Sequence, residues 1–161
     1  MIRVQREDFD PAEETRLLVE GNHGIGSVVT FTGLVREMAD LGKGSEAISA
    51  MTLEHYPGMT EKMLGQIEAE ALARWPLDAC LVIHRTGRLE PGERIVFVLT
   101  ASAHREAAYQ ANIFLIDWLK TKAPFWKLED GAAGAKWVEA RGSDEDAAAR
   151  WSPEAPPKAA E

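Results

Sequence analysis

The segment Arg94 to Ala101, RIVFVLTA, is apolar on both faces of an extended chain. A strand with one wet face alternates apolar and polar residues. A strand without that alternation needs cover on both sides, so this segment reads as a central strand. The chain then turns through Ser102-Ala103 into a helical pattern from about His104 to Lys122. Ala107, Ala108, Ala111, Phe114, Leu115, Trp118 and Leu119 form its wide apolar stripe, and Pro124 stops it. Any fold for this chain must hold a buried strand and a long helix with one broad face to bury.

The flanking segments complete the pattern. Asp10-Pro11 reads as an N-cap and a first-turn proline, opening a helix to about Glu20 that Gly21 and Gly24 end. Ser27 to Val35, SVVTFTGLV, is β-branched and aromatic, a strand. Glu37 to Ser45 is polar, holds two glycines and reads as a mobile loop. Ala47 to Tyr56 reads as a second strand, which Pro57-Gly58 breaks; Thr60 is placed to cap a helix running to about Trp75. Ala79 to Ile83 is a short apolar strand, and Glu90-Pro91-Gly92-Glu93 a turn before the central strand. Phe125–Leu128 and Lys136–Ala140 are short strands around a Gly/Ala-rich turn, and Ser143 caps a last helical turn through Trp151. The order predicts an α+β fold with a mixed or antiparallel sheet and packed helices, without the regular alternation of a doubly wound fold. Residues 1–151 are expected to form a single domain, and the Pro/Ala-rich charged stretch 152–161 a disordered tail.

Composition removes several classes of function. A net charge of −8 over 161 residues argues against nucleic acid or an anionic membrane as partner, so basic groups that bind an anion must be concentrated locally. The single cysteine, Cys80, excludes an intrachain disulfide and a multi-cysteine metal site, and within ACLVI it reads as inert core. The N-terminal stretch MIRVQREDFDP has no apolar signal region and no run spans a membrane, so the expected location is the cytoplasm. There is no Gly-rich phosphate loop, paired-histidine zinc motif or serine elbow, and His23, His55, His84 and His104 lack metal-ligand spacing. Glu54-His55 is half of a metal motif, in a strand with no evident partner.

What remains is a set of basic residues at the ends of elements: Arg36, His104, Arg105, Lys120, Lys127 and Arg141. His104 and Arg105 open the long helix, where unpaired N–H groups and the positive end of the dipole favour an anion; a solvated N-terminal turn is the equal alternative. Lys120, near the other end, either answers the dipole or, on a face shared with Ile113 and Ile116, is partly buried with a lowered pKa. On position alone the first is favoured. Lys127 follows Phe125-Trp126, which suits a flat ligand and a core edge equally.

The segments VVTFTGLVR (28–36), MTLEHYPGMTEK (51–62), RWPL (74–77), VIHRTGRLEPGE (82–93), SAHREAAYQA (102–111), DWLKTKAPFWK (117–127) and WVEAR (137–141) resemble, in the same order, the MoaE family, the large catalytic subunits of molybdopterin synthase. The resemblance runs from about Gly24 to Trp151. It implies an α/β hammerhead that dimerises and takes a small ubiquitin-like subunit at each end, giving a heterotetramer. The small subunit's C-terminal Gly-Gly thiocarboxylate would supply sulfur to cyclic pyranopterin monophosphate, forming the dithiolene of molybdopterin. It implies no cofactor and no metal for this step. The donor sulfur would come from the partner, so the buried-looking Cys80 is not needed as carrier.

Carried over by motif, the essential lysine of LKT falls on Lys120 and the second site lysine, after PFW, on Lys127, the two catalytic candidates. The basic residue after TFTGxV falls on Arg36, with Leu34 and Val35 beside it. The SAHR pair falls on His104 and Arg105, and the arginine of WVEAR on Arg141. Leu128 and Glu129 lie at the edge of the inferred site, Glu129 as an acid/base candidate. Leu34 departs from members with a basic residue there. The implied division of labour is phosphate anchoring by His104-Arg105 with Arg36 and Arg141, some of it across a dimer interface, and sulfur-transfer chemistry at Lys120 beside Lys127. The competing readings are a non-catalytic module that binds a ubiquitin-like tail, and a generic phosphate-ligand enzyme.

Overall fold

In the computed structural model, which describes residues 1–37, 47–131, 134–138 and 147–151, the segment apolar on both faces lies in the interior of a sheet. The elements are β1 (Ile2–Gln5), α1 (Pro11–Val19), β2 (Ser27–Leu34), β3 (Ile48–His55), α2 (Met59–Arg74), β4 (Ala79–Arg85), β5 (Gly87–Leu89), β6 (Arg94–Ser102), α3 (Arg105–Thr121), β7 (Phe125–Gly131) and β8 (Gly134–Val138). They build two four-stranded sheets, ordered β1-β4-β6-β2 and β5-β3-β7-β8. The first is mixed, with β1 parallel to β4 and the other pairs antiparallel; the second is antiparallel throughout.

The two faces of β6 enter two different cores. Val98 packs with Cys80 and Val82 of β4, Leu64, Ile67 and Ala71 of α2, and Phe114, Leu115 and Leu119 of α3. Phe97, Leu99 and Ala101 face the other way, with Leu81 and Ile83 of β4 and with Phe9 at the foot of α1. Phe97, Val98 and Leu99 are fully buried, each contributing about 2 kcal/mol of burial. A third cluster, Val35, Ile48, Met51, Leu53 and Leu89, lies between the second sheet and the chain leaving β2.

The α+β architecture and the mixed sheet agree with expectation, and three features depart from it. First, β1 and β5 were not anticipated. β1, four half-buried residues, and β5, three residues of mixed burial, are too short to establish a period, and each strand exists because β4 or β3 offers an edge. Second, the strands divide between two sheets. Third, Thr60 does not cap α2. The cap is Gly58, at φ +82°, whose N–H donates to Glu61 Oε2 at 2.6 Å. Thr60 is fully buried; its Oγ1 accepts from Tyr56 N–H (3.3 Å) and donates to Pro124 O (3.5 Å).

The expected loop from Glu37 lies almost wholly outside the described residues, as do Ser143, Arg141 and the stretch 152–161. Ala147–Ala149 are helical and deliver Trp151 onto the α2–α3 pair. The Trp151 ring meets Trp75 and Phe114 edge-on, with centroids 5.7 and 5.5 Å away. Its Nε1–H donates to Asp117 Oδ2 at 2.7 Å, Arg150 Nη2 lies 3.1 Å from the same oxygen, and Arg74 Nη2 donates to Trp151 O at 3.1 Å.

Candidate active site

The start of α3 is fixed by main-chain packing. Ser102 Oγ donates to Pro76 O at 2.7 Å and accepts from His104 N–H at 3.4 Å. Gly26 N–H donates to Ser102 O at 3.1 Å, and a Cβ at Gly26 would come within 2.3 Å of Ala103 O, so only glycine permits this approach. His104 is the N-cap in extended conformation, but its side chain makes no capping bond. His104 and Arg105 are both exposed. This end therefore carries helix N–H groups without a side-chain cap, beside two exposed basic residues, with Glu106 the acid of the first turn.

From there α3 runs back across the sheet. Thr100 Oγ1 donates to Ala108 O at 2.7 Å. Asn112, buried and not anticipated as core, donates to Val29 O (3.2 Å), Val98 O (3.3 Å) and Thr100 Oγ1 (3.3 Å), tying the helix to both β2 and β6. The last turn of α3 consequently lies toward the end of the sheet where β6 begins and β2 finishes. Thr121 Oγ1 donates to Asp117 O at 2.9 Å, and Lys122 Nζ lies 3.5 Å from the centre of the Trp118 ring. Lys120 is exposed, on the surface face it shares with Ile113 (37% exposed) and half-buried Ile116.

The turn out of α3 is tight. Lys122 and Ala123 N–H both donate to Trp118 O (2.8 and 3.3 Å), and Phe125 N–H to Ala123 O at 2.8 Å. β7 follows at once, so Lys120 and Lys127 project from the two arms of one short connection. Lys127 is exposed and pairs in register with Leu53 and Val138; Glu129, half-buried, pairs with Met51 and Lys136. Lys127 and Glu129 share the β7 face that carries Phe125, while Trp126 and Leu128 lie on the other. Trp126 and Trp137 are half exposed, at 50% and 52%.

At this same end, Leu34 closes β2 opposite Arg94 and is 51% exposed. Val35 is 2% exposed, its side chain in the cluster with Leu53, its N–H bonded to Glu93 O (2.9 Å) and its O to Gly92 N–H (2.8 Å). Val35 thus supports its exposed neighbours Leu34 and Arg36 and has no free polar group of its own. Leu53 lies beside both Val35 and Lys127, which joins the Arg36 end of β2 to the lysine pair.

Within one chain, then, Lys120, Lys127, Leu128, Glu129, Leu34, Val35 and Arg36 gather at one end of the molecule. His104 and Arg105 do not join them. The 17 residues of α3 separate the two groups by about 25 Å.

His84 and Asp117, outside the predicted site residues, make contacts near the end of α3, and Phe125 takes the core-edge role. His84 and His55, taken as scattered, lie against one aromatic ring, with centroids 3.7 and 6.4 Å from Phe125. His55 also has a partner, Glu61 Oε1, 3.5 Å from its Nε2. Burial, assisted by the charges of Lys127 and His55, lowers the His84 pKa to about 4. The only sign of this in the sequence is that His84 sits inside an apolar strand. Cys80 behaves as expected: it is buried, and burial raises its thiol pKa. Among the described residues no group of His, Cys, Asp and Glu is placed to hold a metal, and no helix is long and apolar enough to cross a membrane.

The family model described as MoaE protein matches residues 4–122. The molybdopterin synthase catalytic subunit of Pseudomonas aeruginosa is 59% identical over 150 residues, covering 93% of this chain and 97% of that one. The solved molybdopterin biosynthesis MoaE protein from Burkholderia ambifaria superposes with a TM-score of 0.78 at 45% identity, over 94% of this chain and 97% of that one. A complex of subunits 1 and 2 of the molybdopterin-converting factor from Helicobacter pylori shares the fold, with a TM-score of 0.71 at 16% identity over 87% and 91%. On sequence and on structure the chain belongs to the MoaE family.

Proposed function

We propose that the chain is the catalytic subunit of a molybdopterin synthase. It takes sulfur from the C-terminal thiocarboxylate of a small ubiquitin-like subunit and delivers it to cyclic pyranopterin monophosphate, in the cytoplasm, with residues 1–151 as one catalytic domain. The observation that carries this reading is the lysine pair. Lys120 and Lys127 are held on two arms of one tight turn, and Arg36 and Glu129 lie at the same end of the molecule.

In this reading the small subunit's tail lies along the exposed end formed by Leu34, Leu128 and the lysines. An enol or thiolate forming on the pterin, and the carboxylate released from the tail, are anionic. An ammonium fixed beside them lowers the barrier most when its position is set in advance. Lys120 stabilises that charge and Lys127 holds the pterin or the tail. Glu129, two residues along the same face, is the acid/base partner.

The substrate phosphate is the natural ligand of His104 and Arg105, whose helix N-terminus offers N–H groups, a positive dipole end and a guanidinium. Because these lie about 25 Å from Lys120 along one helix, the phosphate seat of a given site comes from a second copy of the chain. The assembly is therefore a dimer of this subunit with a small subunit at each end. Arg36 and Arg141 complete the anion contacts.

The test is formation of molybdopterin from cyclic pyranopterin monophosphate and a thiocarboxylated small subunit. Product from the wild-type chain and its loss in a folded Lys120→Ala variant are expected. Tight binding of the tail without product would favour the alternative, a non-catalytic module.

A further inference from the structure

His84 belongs to the first sheet and Phe125 to the second, yet their rings lie flat on one another, 3.7 Å between centroids and 12° from parallel. That is closer and flatter than most aromatic pairs. His84 is 8% exposed, and its Nδ1 is 2.9 Å from Arg85 O. A carbonyl can only accept, so Nδ1 carries the hydrogen.

The support behind the ring is rigid. His84 pairs with Val4 on one side and Val96 on the other. Arg85 donates from Nε to Arg6 O and from Nη1 to Arg94 O and Glu93 Oε1, each at 3.1 Å. The ring donor is committed and the imidazole is uncharged at neutral pH, so His84 offers Phe125 a fixed flat surface and no proton.

Phe125 is the first residue of β7, two before Lys127 on the same face, and follows the short turn that leaves α3. α3 packs on the first sheet, β7 belongs to the second, and the two lysines are divided between them. We propose that His84 is a positioning residue: its stack on Phe125 sets β7 against the first sheet and so fixes the distance between Lys120 and Lys127. The functional consequence rests on the sulfur-transfer reading above; the geometric claim does not. A misplacement of about 1 Å in such a pair costs up to about 100-fold in rate.

The experiment compares His84→Ala, His84→Gln, His84→Phe and Phe125→Leu in the full chain with its thiocarboxylated small subunit. Phe keeps a flat ring at position 84, and Leu keeps apolar volume at 125 without one. Molybdopterin formation is expected to slow about 10-fold in kcat for His84→Ala, His84→Gln and Phe125→Leu. His84→Phe should stay within about 2-fold of wild type, with the dissociation constant of the small subunit unchanged throughout. Crystal structures of His84→Phe and Phe125→Leu should show the Lys120–Lys127 separation kept in the first and altered in the second. These two variants decide the matter even if His84→Ala does not fold. Wild-type kcat in Phe125→Leu with an unaltered lysine separation, or a His84→Phe variant as slow and displaced as Phe125→Leu, would overturn the proposal. A wild-type chain that makes no molybdopterin would sink the sulfur-transfer reading instead, and the lysine separation would still judge His84.

Discussion

The two ends of α3 are built in opposite ways. The first turn is open: His104 caps it without a side-chain bond, and His104 and Arg105 are exposed. The last turn is clamped: Asp117 receives Trp151 and Arg150, Thr121 bonds back to Asp117 O, Lys122 lies on Trp118, and the turn into β7 closes on Trp118 O. An open, electropositive helix start suits a ligand that arrives with its own charge. A clamped end suits a side chain whose position must not change during a reaction. In the proposed function the open end binds and the clamped end holds the chemistry, with the length of the helix between them.

The sharpest way to break that contrast is at the clamped end. Lys120→Ala should lower kcat by about 100- to 1,000-fold, as loss of a preorganised charge does, with little change in affinity for the small subunit; calorimetry beside a turnover assay checks both. Next in size is the acid response of the same region. His84 titrates near 4 in the folded chain against an ordinary 6.5. As pH falls below 6.5 the unfolded chain takes up a proton that the folded chain refuses. Stability should fall by about 3 kcal/mol between pH 6.5 and 4 and then level for this group. Asp8, held down to about 2 by Arg94, adds a further loss below 3.8. Denaturant unfolding across pH should show the upper step in wild type and not in His84→Phe.

A smaller effect is expected where the clamp is loosened. Asp117→Ala leaves the Trp151 indole N–H and Arg150 without their acceptor and should cost about 2 kcal/mol, or about 4–8 °C in melting temperature. Smallest is the open end. Arg105→Ala should raise KM for the phosphate-bearing substrate about 10-fold with kcat nearly unchanged, and stability should not move. A fall in kcat matching that of Lys120→Ala would erase the distinction between the two ends.

Much of this fold was legible because its central pieces are long and strongly patterned. RIVFVLTA is apolar on both faces because two separate cores need it to be, and the α3 stripe has the helical period because one face meets β6 and β2. β1 and β5 were not legible. They are short, and they are strands because of the neighbours they pair with. The site divides in the same way. Lys120 and Lys127 are exposed, and no local rule separates them from other surface lysines; only the motif around them did. His84 with Phe125, and Asp117 with Trp151, are contacts across 41 and 34 residues, and residues so far apart carry no mutual signal in a single chain. His104 and Lys120 lie at opposite ends of α3, and in the proposed function those ends belong to two different sites.

That separation can be measured directly by mixing subunits. Lys120→Ala and Arg105→Ala chains, each impaired alone when the phosphate-bearing substrate is held well below KM, are unfolded together, refolded as mixed dimers and assayed at that substrate level for molybdopterin with thiocarboxylated small subunit. If one site takes Lys120 from one copy and Arg105 from the other, each mixed dimer has one intact site and one carrying both lesions. Activity should then rise to about half of wild type per mixed dimer. Mixed dimers no more active than the two parents would contradict the account, because both ends of one helix would then serve the same site.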